Sequence, residues 1–98
     1  MAVAELEKLN KYLVENGYDV TKKCISKLLY DINGLSIPDY NQLVVTYKDS
    51  DLEWDVVCHP GSYGWEERLL ESYHMLEDEG DVTGFLTADD VIERLESR

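Results

Sequence analysis

Positive charge is scarce in this chain, and two thirds of it lies in the first half. Nine lysines and arginines stand against 21 acids, for a net charge of −12. Residues 1–48 carry six acids (Glu5, Glu7, Glu15, Asp19, Asp31, Asp39) and six lysines, so this half is neutral. Residues 49–98 hold the other fifteen acids against Arg68, Arg94 and Arg98, and therefore the whole excess. Such a field repels nucleic acid and anionic membranes, and it draws basic surfaces by salt-dependent steering. A basic stripe interleaved with aromatics, the footprint of a nucleic-acid binder, is missing. An acidic surface also keeps a small domain soluble, so charge alone leaves two uses open.

Cysteine is rare as well. Cys24 and Cys58 are far apart, form no CxxC pair, and each sits in an apolar pattern where a free thiol behaves as a small hydrophobe. No disulfide framework is expected, and a reducing cytoplasm is the expected compartment. No apolar run approaches the ~18–20 residues of a membrane span, and Met1-Ala2-Val3-Ala4-Glu5 meets charge too soon for a signal peptide. Disorder is excluded by composition: 44% of residues are hydrophobic, with seven Tyr and two Trp. Ninety-eight residues make one domain, burying about 60–70% of the unfolded surface around one core.

The apolar residues recur in readable periods. Val3, Leu6, Leu9 and Leu13 have helical spacing, and Asn16-Gly17 supplies a left-handed stop. Thr21 is placed to cap a second helix carrying Ile25, Leu28, Leu29 and Ile32 up to Asn33-Gly34; this is the favoured reading, with an extended run over part of residues 21–33 as the alternative. Gln42–Lys48 alternates with period two, as does Leu52–His59, where Leu52, Trp54, Val56 and Cys58 share one face opposite Glu53, Asp55, Val57 and His59. With Asp49-Ser50-Asp51 between them, these segments predict an antiparallel hairpin. After the turn-rich Pro60–Gly64, the spacing of Trp65, Leu69, Tyr73 and Leu76 predicts a helix with Glu66, Glu67 and Glu71 outside its stripe. Glu77–Asp81 reads as an acidic loop and Val82–Leu86 as a short strand. Thr87 with Asp90 predicts a capping box opening a last helix along Val91, Ile92 and Leu95. The expected architecture is α+β: a small antiparallel sheet, its central hairpin at about 42–59, packed by three to four helices in a single domain spanning 1–98.

Candidate chemistry is thin. Cys58 and His59 are neighbours on a strand, so their side chains point to opposite faces and make a poor nucleophile–base pair; no third residue orients the base. Asp49-x-Asp51-x-Glu53-x-Asp55 has the alternating oxygens of a calcium loop, but Trp54 stands where the sharp turn demands glycine. Cys58, His59 and His74 lack the paired spacing of zinc ligands. Gly61-Ser62-Tyr63-Gly64 precedes a predicted helix, yet Glu66 and Glu67 oppose a phosphate there. No enzymatic activity, catalytic residue, cofactor or metal is therefore expected.

What remains is the acidic pattern. Asp49, Asp51, Glu53, Asp55, Glu66, Glu67, Glu71, Glu77, Asp78, Glu79 and Asp81 are the candidate contacts to a partner. Glu66, Glu67, Asp89 and Asp90 are explained by first-turn positions, where the helix dipole favours an anion by roughly 0.3–1 kcal/mol. Glu67–Glu71 and Asp89–Glu93, read as i, i+4 pairs on helices, repel by a few tenths of a kcal/mol, and tolerating that repulsion argues for a use of the field.

The runs LEWDVVCHPGSYG (Leu52–Gly64) and LTADDVIERL (Leu86–Leu95) resemble small acidic, largely uncharacterised proteins of phages and prophages of low-GC Gram-positive bacteria. The charged Trp65-Glu66-Glu67-Arg68 departs from the more glycine-rich stretch of that pattern. The resemblance implies no catalytic residues. It implies a setting, the host cytoplasm, in which small acidic phage proteins neutralise host enzymes by occupying a DNA-binding groove, as anti-CRISPR and glycosylase-inhibiting DNA mimics do. The expected partner is a basic protein surface, such as that of a host nucleic-acid-binding enzyme, with no direct nucleic-acid or membrane contact. The alternative is a phage structural or assembly protein, homodimeric through the hairpin face.

Overall fold

The computed structural model describes residues 3–73 and 82–97. The elements follow the order α1 (Ala4–Glu15), β1 (Asp19–Lys23), α2 (Lys27–Ile32), β2 (Gln42–Thr46), β3 (Glu53–Val57), β4 (Leu70–Tyr73), β5 (Val82–Leu86) and α3 (Ala88–Glu96), with a 3-10 turn at Trp65–Glu67. The fold is α+β. Among the described residues, five strands form one antiparallel meander in the order β1-β2-β3-β4-β5, a larger sheet than the hairpin-centred one expected, together with three α-helices.

Helix α1 buries Leu6, Leu9 and Leu13 completely, as the spacing predicts. It ends in a Schellman motif: Tyr18 N donates to Leu13 O (2.9 Å) and Gly17 N to Val14 O (3.1 Å), with Gly17 at φ 78°. The last helix begins with the capping box that Thr87 and Asp90 announce. Asp90 N donates to Thr87 Oγ1 (3.1 Å), and Thr87 N donates to Asp90 Oδ2 (2.9 Å). The Thr87 backbone N–H, and after it the Thr87 side chain, hold the Asp90 carboxyl below its ordinary range by hydrogen bonding to its charged form.

Helices α1 and α3 cover one face of the sheet. Leu43, Val45, Tyr47, Trp54, Val56, Cys58, Leu70 and Leu86 meet Leu6, Leu9, Leu13, Val91 and Leu95 in a single core. The helices are also joined at their starts, where Glu5 Oε1 accepts from Ala88 N (2.7 Å) and Lys8 pairs with Asp89 (3.0 Å). The hairpin forms as expected, with Thr46 opposite Glu53 and Tyr47 N donating to Leu52 O (2.9 Å) across the loop. Leu52 does not join its core face: it lies in that loop and is 69% exposed.

Two predicted helical segments contain strands. Asp19–Lys23 pairs with β2 along its length, Val20 opposite Val45, so Thr21 is mid-strand and caps no helix. Helix α2 is confined to six residues after the left-handed Ser26, and its buried residue is Tyr30, while Leu28 and Ile32 of the expected stripe face solvent. The helix expected from Trp65 stops after one 3-10 turn, because Gly64 (φ 94°) and Arg68 (φ 58°) are left-handed on either side of it. The chain then runs extended as β4, with Val56 opposite Ser72 and Val57 opposite Glu71. Leu70 and Ser72 turn toward the helices, and Glu71 and Tyr73 toward the other face. Glu67 and Glu71 are thus no i, i+4 pair on a helix.

Candidate interaction surface

Alternation along the strands sorts the acids. The face opposite α1 and α3 carries Asp19, Thr46 and Glu53 in one cross-strand row, then Thr21, Val44, Asp55, Tyr73 and Val82, then Lys23, Gln42, Val57 and Glu71. Of the expected contact residues, Glu53, Asp55 and Glu71 are on this face, and Asp49 and Asp51 are in the exposed hairpin loop at the Glu53 end. Glu53 is exposed, whereas Asp55 is half-buried and its Oδ2 accepts from Gln42 Nε2 at 2.7 Å. The expected row Asp51-Glu53-Asp55 is therefore two strand residues and one loop residue.

Glu66 and Glu67 are exposed on the 3-10 turn. Glu71 is elsewhere: it is only 5% exposed on β4, and its Oε1 accepts from Tyr63 N at 3.0 Å. Its role is to hold the Pro60–Gly64 turn against the sheet. Glu71, Asp55 and the Tyr63 phenol share one neighbourhood with Tyr73. The Tyr73 phenol is pushed up mainly by the Glu71 carboxylate, then by burial, Asp55 and Tyr63. Glu77, Asp78, Glu79 and Asp81 lie outside the described residues.

The turn itself is tightly made. Ser62 Oγ donates to His59 O (2.8 Å) and accepts from His59 N (3.1 Å). His59 Nδ1 lies 2.9 Å from Pro60 O, directed at its own turn. Cys58 is fully buried, and burial pushes its thiol up to about 11, so at neutral pH the sulfur is protonated and enclosed by the core. Among the described residues, no group of three or more His, Cys, Asp and Glu is placed to hold a metal ion.

Two concavities flank the 3-10 turn. One, of about 450 Å³, lies between the start of α1 (Val3, Glu5), Tyr30, Trp65 and Arg68. The Arg68 guanidinium stacks 3.8 Å over the Trp65 ring, and Tyr30 meets that ring edge-on at 5.9 Å. The other, of about 280 Å³, lies among Tyr63, Gly64, Trp65, Glu66, Glu67 and Phe85. Phe85 was not singled out from the sequence, and no local pattern marks it. It is 57% exposed at φ 57°, at the register shift within the β4–β5 pairing.

Among the described residues, no helix is long and apolar enough to cross a membrane. Comparison with protein-family models, with curated proteins and with solved structures gives no match to this chain.

Proposed function

We propose that this chain is a non-catalytic binding protein of phage or prophage origin. It acts in the host cytoplasm as an inhibitor, presenting an acidic, DNA-mimicking surface to the basic groove of a host nucleic-acid-binding protein; an anti-CRISPR protein acting on a Cas nuclease is one such case. The observation that carries this reading is the state of four carboxylates. Asp51, Glu53, Glu66 and Glu67 are exposed, and among the described residues none of them is paired with a cation. Carboxylates held out in this way are available to the lysines and arginines that otherwise grip a DNA backbone.

The test is a pair of charge swaps, Asp51→Lys with Glu53→Lys and Glu66→Lys with Glu67→Lys, measured against the basic protein recovered with the parent from a host lysate. Each swap slows association at low salt, and the difference shrinks as salt rises. If both folded double variants bind as the parent does, the acidic-surface reading fails. A second reading, a phage assembly or homo-oligomeric protein without mimicry, is favoured by one observation. Leu28 (68%), Ile32 (69%), Leu35 (38%) and Ile37 (43%) leave an apolar stretch exposed on α2 and the segment after it. Concentration-dependent self-association lost in Leu28→Ser with Ile32→Ser, together with indifference to the charge swaps, supports that alternative.

A further inference from the structure

From the pocket beside the 3-10 turn we infer that this protein takes one arginine side chain of its partner between Tyr63 and Phe85, with Glu66 and Glu67 pairing its guanidinium. The inference rests on the acidic-surface reading for its partner class and adds a specific seat for one residue of that partner.

The walls of the pocket are fixed by backbone contacts that leave the rings outside. A Cβ on Gly84 would fall 2.5 Å from Tyr63 Cβ, so the Tyr63 segment sits directly on the β5 backbone and only glycine fits beneath it. A Cβ on Gly64 would fall 3.2 Å from both N and Cα of Phe85, and Gly64 is itself left-handed at φ 94°. The Glu71 carboxylate anchors Tyr63 N from the sheet. Held this way, Tyr63 remains 62% exposed and Phe85 57% exposed. Phe85 also occupies the left-handed region, uncommon for a bulky side chain. Two large rings displayed to solvent, one on unfavourable backbone, do nothing for the core.

The chemistry of the lining selects the occupant. At about 280 Å³ the pocket is slightly smaller than the ~300–1,000 Å³ of sites that enclose a whole small-molecule ligand, which suits a single side chain. Aromatic faces attract cations, and the planar guanidinium both stacks on a ring and pairs with carboxylates as a lysine ammonium does not. Glu66 and Glu67 line the same pocket as Tyr63 and Phe85 and supply that charge. The protein already makes this contact internally, with Arg68 stacked on Trp65 beside the neighbouring cleft.

The experiment is a titration of the isotope-labelled full chain, followed by amide NMR, with two blocked tripeptides, Gly-Arg-Gly and its neutral isostere with citrulline at the centre. The arginine peptide shifts the amides of Tyr63, Gly64, Glu66, Glu67 and Phe85 saturably, and the citrulline peptide binds at least about tenfold more weakly. Phe85→Gly keeps the backbone, since glycine adopts φ 57° freely, and weakens the arginine peptide by about tenfold. Equal binding of the two peptides, undiminished binding by Phe85→Gly, or shifts spread over other carboxylates instead of these amides overturns the pocket. The two readings fail separately. If the peptide finds no pocket while Asp51→Lys with Glu53→Lys still slows the partner, the pocket is refuted and the acidic surface stands. If the peptide saturates the pocket and Glu66→Lys with Glu67→Lys slows a partner that nucleic acid does not displace, the pocket stands and the mimicry reading falls.

Discussion

Replacing Asn41 by alanine removes the side chain that ties β1, α2 and the sheet together. Asn41 is fully buried just before β2. Its Nδ2 donates to Ile25 O (2.8 Å) and Tyr30 Oη (3.1 Å), and its Oδ1 accepts from Ile25 N (2.8 Å). Each such bond contributes a net ~0.5–1.5 kcal/mol, and a buried partner left unsatisfied costs about 1–3 kcal/mol more. Ile25 is only half-buried, so water recovers part of that loss. The sum for Asn41→Ala is ~2–4 kcal/mol, which for a domain of this size lowers Tm by roughly 10–30 °C. Thermal and urea unfolding followed by far-UV circular dichroism measure it. The control is Asn33→Ala, whose Nδ2 bond to Leu29 O (2.6 Å) lies at an exposed helix end and is expected to contribute under about 1 kcal/mol. Release of Tyr30 also frees its edge-on contact with Trp65, so native-state fluorescence of Asn41→Ala should shift as well. An Asn41→Ala protein no less stable than Asn33→Ala would refute the reasoning, because one buried and two part-buried bonds would then have proved worth no more than one exposed bond.

Two further outcomes follow from burial. Glu71→Lys should destabilise by ~3 kcal/mol or more in urea titrations, by placing an unpaired cation in a site only 5% exposed, whereas Glu66→Lys and Glu67→Lys should stay within about 0.5 kcal/mol of the parent; equal effects would mean that Glu71 does not anchor the turn. The Cys58 thiol ionises near 9.0 in the unfolded chain and is held to about 11 in the fold, so the unfolded state loses the proton first and stability falls as pH rises through that window, by at most ~1.4 kcal/mol per pH unit from this group. Cys58→Ala should remove that share of the alkaline loss, and prompt reaction of Cys58 with a thiol reagent in the native protein at pH 7 would contradict its enclosure.

The parts of the fold legible in the sequence are those decided by near neighbours. The α1 stripe, the Gly17 stop and the Thr87–Asp90 box each lie within a few turns of chain, and the Gln42–His59 hairpin advertises itself by alternation on both sides of a polar loop. β1 and β4 carry no such signal. In Asp19–Lys23 only Val20 packs against the core, so nothing alternates, and it is pairing with β2 that makes the segment a strand. In the stretch after Trp65 the apolar spacing fits a helix. What stops that helix is a left-handed Arg68, a conformation the residue type does not announce, and pairing of Ser72 with Val56 then claims the chain for the sheet.

The candidate surface divides along the same line. That the acids cluster after residue 48 is a matter of composition and needs no structure, but their availability is a tertiary fact. Misreading β4 as a helix put Glu71 beside Glu67 in solvent, when the strand turns it under Tyr63 and makes it an anchor. The aromatic pair is hidden in the same way, since Tyr63 and Phe85 line one pocket only because β4 and β5 pair and because Gly84 lets the earlier turn rest on the later strand. An acidic surface that only solubilised the domain would have no need of two aromatic rings held beside its carboxylates. A surface built to receive basic side chains has a use for both, which is why the charge and the pocket are better read together than apart.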